Sequence, residues 1–372
     1  MDHGALLILV SGGGFFIGIF VATLLRVRPR GSAGANNILS SFMILCSLNI
    51  VHPLIALLLP GDLHPGISYL AEPLEYLMAP LIAAYFRSLL APRRPLRLFH
   101  LVHCLPFLAV VAFILSPLSA ALEGALGSAR LTAGLWSLLV IQAFAYLLPS
   151  LARLHRYRRA VRNQVSNLAG LDLRWLMWFS HAVIALYLSY AVLLTIMLHA
   201  PRPLPLRGFL SLALTLLVCA IGYRGLNQRE TPVVDDLAED APTGGRKYAK
   251  TALPAGEAKE LLGRLERAME EERLYLDPEL SLSALSDRLA VGRNLVSYVI
   301  NQRLGKNFFD FVNGYRVKAV IGFMEDPERK DDKLLTLGLE AGFNSKPTFN
   351  SVFKRLTGLT PSEFRRQREK EV

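Results

Sequence analysis

The hydrophobic positions of this chain are unevenly distributed, and their distribution divides the sequence into two parts. Before residue 228, apolar residues form seven long runs, each near the length of about 17–25 residues that a helix needs to cross a bilayer. The runs occupy residues 5–25, 37–59, 67–90, 98–119, 131–152, 174–199 and 208–228. This pattern predicts a seven-helix transmembrane bundle in residues 1–228.

After residue 254 the apolar positions follow the spacing of short amphipathic helices. A short helix, a tight turn containing glycine and a longer helix are typical of a helix-turn-helix unit. The pattern predicts two such units, at about 282–304 and 334–356, with one long helix, 308–324, between them. The predicted fold class is therefore all-α throughout, with a second all-α domain in residues 255–372.

The stretch between the two parts, residues 229–254, is rich in proline, glycine and acidic residues and poor in large apolar ones. Such a composition cannot bury enough apolar surface to form a core. We therefore expect a flexible acidic linker at this place.

The arginines of the apolar part predict its orientation. Segments expected on the cytoplasmic side hold 15 arginines and those expected outside hold 3. Because cytoplasmic loops carry the excess of basic residues, the N-terminus is predicted outside and the C-terminus in the cytoplasm. The basic cluster at 153–162 is interpreted as a topology anchor at anionic headgroups rather than as a nucleic-acid patch. The expected location is the inner membrane, with the lipid bilayer as a partner.

Three ionisable residues within the predicted spans are candidates for sensing a signal. His52 lies in the second run, and Glu72 and Glu75 stand three residues apart in the third. Intramembrane ionisable residues are costly and often functional. Two interpretations remain open: an outward-facing pocket that senses a ligand or a proton, and a polar network that only fixes helix packing.

The C-terminal part resembles the AraC-type transcriptional regulators over about residues 275–367. The second unit carries the most specific match, namely Gly342-Phe343-Asn344-Ser345, Phe349, Phe353-Lys354, Gly358, Thr360-Pro361 and Phe364-Arg365. The first unit matches at Leu285, Val296-Ser297, Ile300-Asn301, Leu304-Gly305, Phe308, Phe311, Asn313 and Tyr315-Arg316. The whole chain looks like the membrane-bound members of that group. The usual alanine of each first helix is replaced by Ser286 and Gly338, and a usual serine cap by Gly292.

The resemblance implies double-stranded promoter DNA as the partner and identifies candidate contacts. In such units the second helix enters the major groove with its first residues at the base edges. Helical position and resemblance together predict that six side chains face the bases: Asn294, Ser297, Tyr298, Lys346, Thr348 and Ser351. Phosphate contacts are predicted for Arg293, Lys306 and Lys354. RNA polymerase is an expected partner of an activator, and a second copy of the chain is a candidate partner.

Enzymatic function has little support in the sequence. No phosphate-binding glycine loop, zinc-protease helix or nucleophile elbow is present, and the three cysteines, all in apolar runs, lack zinc-ligand spacing. No catalytic residue, metal or cofactor is therefore predicted. The alternative is a membrane transporter or receptor with a regulatory DNA-binding tail, which for a transporter predicts matching interrupted helices in two halves.

Overall fold

The computed structural model describes residues 3–27, 32–58, 72–91, 102–168, 173–199, 206–227 and 254–371. The chain divides into two compact units. The apolar unit comprises Met1–His155 and Leu173–Val233, and the C-terminal unit comprises Arg156–Asp172 and Val234–Val372. Almost all of the predicted linker lies outside the described residues. Within the described ranges the regular structure is helical, apart from one isolated β-bridge between Val165 and Ser281, so the all-α prediction is confirmed there.

The apolar unit contains long helices that follow the predicted apolar runs only in part. They are α1 His3–Val27, α2 Ala33–Leu58, α3 Met78–Leu90, α4 Leu105–Ile114, α5 Pro117–Leu126, α6 Ser128–Arg162, α7 Arg174–His199 and α8 Leu206–Leu226. A 3-10 turn, Glu72–Leu77, precedes α3. The last residues of α6, 156–162, belong to the C-terminal unit.

Proline explains the clearest departure from the predicted spans. The fourth run was expected to be one helix to residue 119, but α4 ends at Ile114 and α5 begins at Pro117. Ser116 has the extended backbone that a residue before proline prefers, with φ −86° and ψ 153°. The two helices are therefore bent by 74° relative to each other, and the fourth predicted run is divided between them.

Three helical segments of the described residues are long and apolar enough to cross a membrane: Ile8–Val27, Ala33–His52 and Arg130–Arg162. A fourth is obtained if the bent pair counts as one span, and a shorter apolar helix covers Leu212–Leu226. The number of seven spans is not confirmed by these helices.

Glycine allows α1 to pack closely against its neighbours in the apolar unit. A Cβ atom at Gly14 would overlap the side chain of Thr215 in α8, and one at Gly18 would overlap Ser47 in α2. Larger side chains at these two positions would push the helices apart. These two glycines, four residues apart on α1, therefore serve helix contact.

The C-terminal unit consists of short helices around a central one. They are α9 Ala255–Glu270, α10 Leu282–Arg288, α11 Arg293–Tyr298, α12 Phe308–Glu325, α13 Leu334–Glu340, α14 Lys346–Thr357 and α15 Pro361–Glu371. Helix α11 continues as a π-helical turn, Val299–Arg303. The bounds of α12 agree with the predicted helix 308–324 to within one residue, and α14 ends one residue after the predicted end of the second unit.

Helix α12 contributes side chains to two separate hydrophobic cores. Phe308, Phe311 and Val312 belong to the first core, with α9, α10 and α11. Phe309, Val317 and Val320 belong to the second, with α13 and α14. Because one helix is buried in both cores, it links the two halves of the C-terminal unit.

Candidate DNA-binding interface

The first helix-turn-helix module comprises α10, α11 and the π-helical turn. Ser281 caps α10, its side chain accepting a hydrogen bond from the Ala284 N–H at 3.2 Å. Gly292 precedes α11 without a side-chain cap, in extended backbone at φ −60° and ψ 137°. The predicted loss of the serine cap is therefore visible in the structure.

The side chains predicted to read bases from the first module differ in exposure. Asn294 is exposed, whereas Ser297 and Tyr298 are half-buried. Asn301 donates to the backbone oxygen of Ser297 at 2.8 Å and to its hydroxyl at 3.1 Å, and the Tyr298 ring packs against the first core. Of these three side chains, Asn294 is the most accessible to a base.

The second helix-turn-helix module comprises α13 and α14. Ser345 caps α14, accepting from the Thr348 N–H at 3.3 Å, and it donates to the Thr348 hydroxyl at 2.9 Å. Pro347 lies in the first turn, where it costs no backbone hydrogen bond. The inward residues of this helix, Phe349 and Phe353, are fully buried in the second core.

Exposed cations and polar groups lie on the outer side of α14. Lys346, Ser351 and Lys354 are exposed, and Thr348 is half-buried. The Ser351 hydroxyl donates to the backbone oxygen of Thr348 at 3.0 Å. Arg293 and Lys306, predicted to contact phosphate from the first module, are exposed as well.

A buried arginine holds the region between the modules together. Arg316 of α12 is 1% exposed, and its guanidinium donates to the backbone oxygens of Tyr275 and Asp277 at 2.7 and 2.6 Å. Burial lowers the pKa of Arg316 to about 10, although the nearby Asp277 and Glu279 oppose this shift. The group stays charged at neutral pH because that pKa is far above 7.

Sequence reasoning assigned no role to Arg316 or to Asn313, which is fully buried beside it. Asn313 accepts from Arg316 at 3.3 Å and donates to the backbone oxygen of Phe309 at 2.8 Å. The available signal was two polar residues three apart on a helix whose other positions are mostly apolar. Such a pair indicates a buried polar network rather than a solvated face.

The candidate sensing residues lie on two neighbouring elements of the apolar unit. His52 belongs to α2, and the 3-10 turn with Glu72 and Glu75 contacts that helix. Glu75 is half-buried, and the side chain of Glu72 lies outside the described residues.

Close to that turn lies a small polar site. The Tyr76 hydroxyl donates to the backbone oxygen of Leu135 at 2.5 Å, and Gln142 donates to the Tyr76 oxygen at 3.0 Å. A cavity of about 20 Å³ lies beside Tyr76, lined also by Pro73 and Trp136. Its volume has room for about one water molecule.

Comparison with known proteins finds a family match in the C-terminal part of the chain. The helix-turn-helix domain family matches residues 285–367. The uncharacterized transcriptional regulatory protein YesN of Bacillus subtilis (strain 168) is 31% identical over 127 residues, 33% of each chain. The uncharacterized HTH-type transcriptional regulator SACOL0084 of Staphylococcus aureus (strain COL) is 30% identical over 95 residues, 26% of this chain and 12% of that protein. No solved structure matches the chain.

These matches define the class of the C-terminal unit. It carries a helix-turn-helix domain similar to those of transcriptional regulators, which supports the resemblance to AraC-type proteins. The chain spans about a third or less of the length of the two relatives it matches.

Proposed function

We propose that the protein is a membrane-anchored, sequence-specific transcription regulator. The proposal rests on one observation: two helix-turn-helix modules are present, and the linking helix α12 contributes side chains to the hydrophobic core of each. Each module exposes the polar start of its second helix, the part that enters the major groove in such proteins. Similarity to two transcriptional regulators over this region supports DNA as the partner.

The six predicted base contacts and three predicted phosphate contacts are assigned by position on α11 and α14. Asn294 and Lys346 stand in the first turns of these helices and are exposed. Lys354 is exposed about two turns after Lys346, where a cation is better placed to neutralise phosphate. Residues 247–372 carry a net charge of only +3. A charge this small suits sequence-specific DNA recognition more than nonspecific DNA binding.

Membrane anchoring is supported by the surface of the apolar unit. Large apolar side chains are widely exposed on its helices, among them Leu9 at 67%, Phe16 at 71% and Trp178 at 76%. In water such a surface would aggregate, whereas in lipid it is solvated. The arginine distribution supports a cytoplasmic C-terminal unit and seven spans.

The stimulus would act through the apolar unit, where His52, Glu72 and Glu75 are our candidates. Glu72→Gln with Glu75→Gln should abolish the response of the full-length protein without reducing its affinity for DNA. Unchanged signal-dependent transcription would instead assign both glutamates to packing.

The proposal is tested by selecting DNA from a random library with the full-length chain in lipid nanodiscs. We expect one enriched motif with two half-sites, and binding that weakens as salt rises because phosphate contacts release counterions. Asn294→Ala with Lys346→Ala should lose the motif, and Lys259→Ala, in α9 outside both modules, is the matched control. A folded chain that enriches no motif contradicts the proposal.

A further inference from the structure

Residues 164–168, here called the docking segment, pair with the start of the first module. The Ser166 N–H donates to the Leu280 oxygen at 3.2 Å, and the Leu282 N–H donates to the Gln164 oxygen at 2.9 Å. These two bonds form the antiparallel bridge between Val165 and Ser281. The segment lies more than 100 residues before the module in sequence. It belongs to the stretch Arg156–Asp172 of the C-terminal unit, which is preceded and followed in the chain by residues of the apolar unit.

The same segment is bound by the buried polar residues of α12. Ser166 is fully buried, and its backbone oxygen accepts from Asn313 at 2.9 Å and from Arg316 at 3.3 Å. Its hydroxyl donates to the Leu280 oxygen at 2.6 Å and accepts from Arg316 at 3.1 Å. Without the segment, several polar groups of α12 would lose their buried partners, which is costly.

The docking segment also reaches the second module. Leu168 packs against the second core, which contains the inner side of α14. Asn167 donates to the Glu279 carboxylate at 3.3 Å, and Asn344, in the turn of the second module, donates to the same oxygen at 3.5 Å. The segment therefore contacts the first module, the linking helix and the second module at once.

We propose that the docking segment holds the two modules in one relative orientation and transmits the state of the membrane part to the DNA-binding surface. Its contacts involve the start of α10, the linking helix and the inner side of the second module, whereas the predicted base contacts lie on α11 and the outer side of α14. Docking is therefore compatible with DNA binding and favours sites that engage both modules. Withdrawal of the segment frees the modules to reorient.

This inference rests on the proposed function, because an orientation of modules matters only if both bind DNA. It adds a route for the signal that does not pass through the acidic linker. The linker is predicted from its composition to be flexible, and a flexible linker transmits neither torque nor displacement effectively. The docking segment is hydrogen-bonded to the first module and to α12 and packs against the second module through Leu168, so it can transmit both. The docking segment, the two modules and α12 all belong to this chain, so the contact needs no other protein.

The first test is a cysteine pair, Val165→Cys with Ser281→Cys, in the full-length chain in nanodiscs. In a bridge of this hydrogen-bonding pattern the facing Cα atoms are about 4.5 Å apart, within the range of a disulfide. After mild oxidation, the chain is cut by protease in the linker, and the disulfide should keep the two pieces joined. Val165→Cys with Ser351→Cys is the control pair and should cross-link at least roughly tenfold more slowly.

The second test measures DNA binding to the selected two-half-site DNA and to a single half-site. The cross-linked chain should retain its affinity for both. Ser166→Pro with Leu168→Asp should bind the two-half-site DNA roughly tenfold more weakly, as expected for the loss of one or two hydrogen bonds, and the half-site equally well. Gln164→Ala is the matched control, because Gln164 contributes its backbone oxygen and not its side chain to the bridge.

The outcomes separate the inference from the proposed function. Cross-linking of the Val165 and Ser281 pair no faster than the control overturns docking, and so does a cross-linked chain that has lost its affinity for DNA. If the Ser166→Pro, Leu168→Asp variant binds both DNAs as tightly as the wild type while α12 stays protected from hydrogen exchange, the orienting role is overturned. Rapid cross-linking in a chain that selects no DNA would support docking and overturn the proposed function.

Discussion

The ring of Phe349 lies directly against the backbone of Gly338. A Cβ atom on that glycine would be 3.0 Å from both Cγ and Cδ1 of the ring. The resemblance to AraC-type regulators predicts alanine at the position of Gly338, and the contact explains why alanine does not fit here without movement. Glycine at this position lowers the helix propensity of α13, but it allows α13 to pack closely against α14.

We expect Gly338→Ala to destabilise the C-terminal unit by about 1 kcal/mol. Overpacking of a core costs roughly 1–3 kcal/mol and outweighs the gain of about 1 kcal/mol in helix propensity. In a Phe349→Leu background the clash is relieved, and the same substitution should become stabilising. Pulse proteolysis of the full-length chain in urea measures both effects, and the same sign in both backgrounds would contradict the packing argument.

Two glycines with positive φ should differ sharply in their tolerance of alanine. Gly342 has φ +92°, and a Cβ there would overlap the Tyr275 oxygen and lie 2.9 Å from the Leu276 oxygen. Gly358 has φ +81° and nothing within 4 Å. Gly342→Ala should therefore cost roughly 3 kcal/mol or more, whereas Gly358→Ala should cost about 1 kcal/mol from backbone strain alone. Equal losses in urea unfolding would contradict this difference.

Two lysines of α14 should affect DNA binding in different ways. Lys346→Ala should change base preference by about 1–3 kcal/mol at one or two positions. Lys354→Ala should weaken binding to every sequence and lower the salt slope by about 1. Competition titrations over single-base variants of the selected site, at several salt concentrations, distinguish the two. Identical base profiles for the two variants would withdraw Lys346 from the predicted base contacts.

The start of α15 should depend on pH through a reciprocal cap. The Thr360 N–H and hydroxyl donate to Glu363 at 2.8 and 2.7 Å, and the Glu363 N–H donates back to the hydroxyl at 3.3 Å. The hydroxyl bond, and then the backbone bond, lower the pKa of Glu363 below its ordinary 4.5. The stabilisation is therefore complete above that ordinary pKa and is lost as pH falls through the lowered one.

Hydrogen exchange of residues 361–371 in wild type and Glu363→Gln measures this dependence. The amide of glutamine does not titrate, so the wild type should be better protected at neutral pH and the difference should vanish in acid. A difference that grows on acidification would contradict the cap. Thr360→Val removes the hydroxyl partner and serves as the second variant.

The sequence by itself determined the local organisation of the C-terminal unit. Apolar spacing located α12 and α14, Ser345 marked the start of α14, and the glycine-containing turn separated the helices of each module. These features depend on hydrogen bonds between residues a few positions apart and on one buried face per helix, so local pattern suffices to predict them. Hydropathy likewise found the apolar helices, although Pro117 broke the fourth one.

Only the tertiary structure decided how the modules are held and what joins them. Local pattern marks Arg316 as a polar position on a mostly apolar helix but does not identify its partners. It is buried because backbone oxygens of Tyr275 and Asp277, from another segment, surround its guanidinium. Ser166 carries no periodic signal, and its partners lie 114 to 150 residues away. Such contacts are set by the meeting of distant backbone groups, and the sequence of either segment alone does not specify which partner it meets.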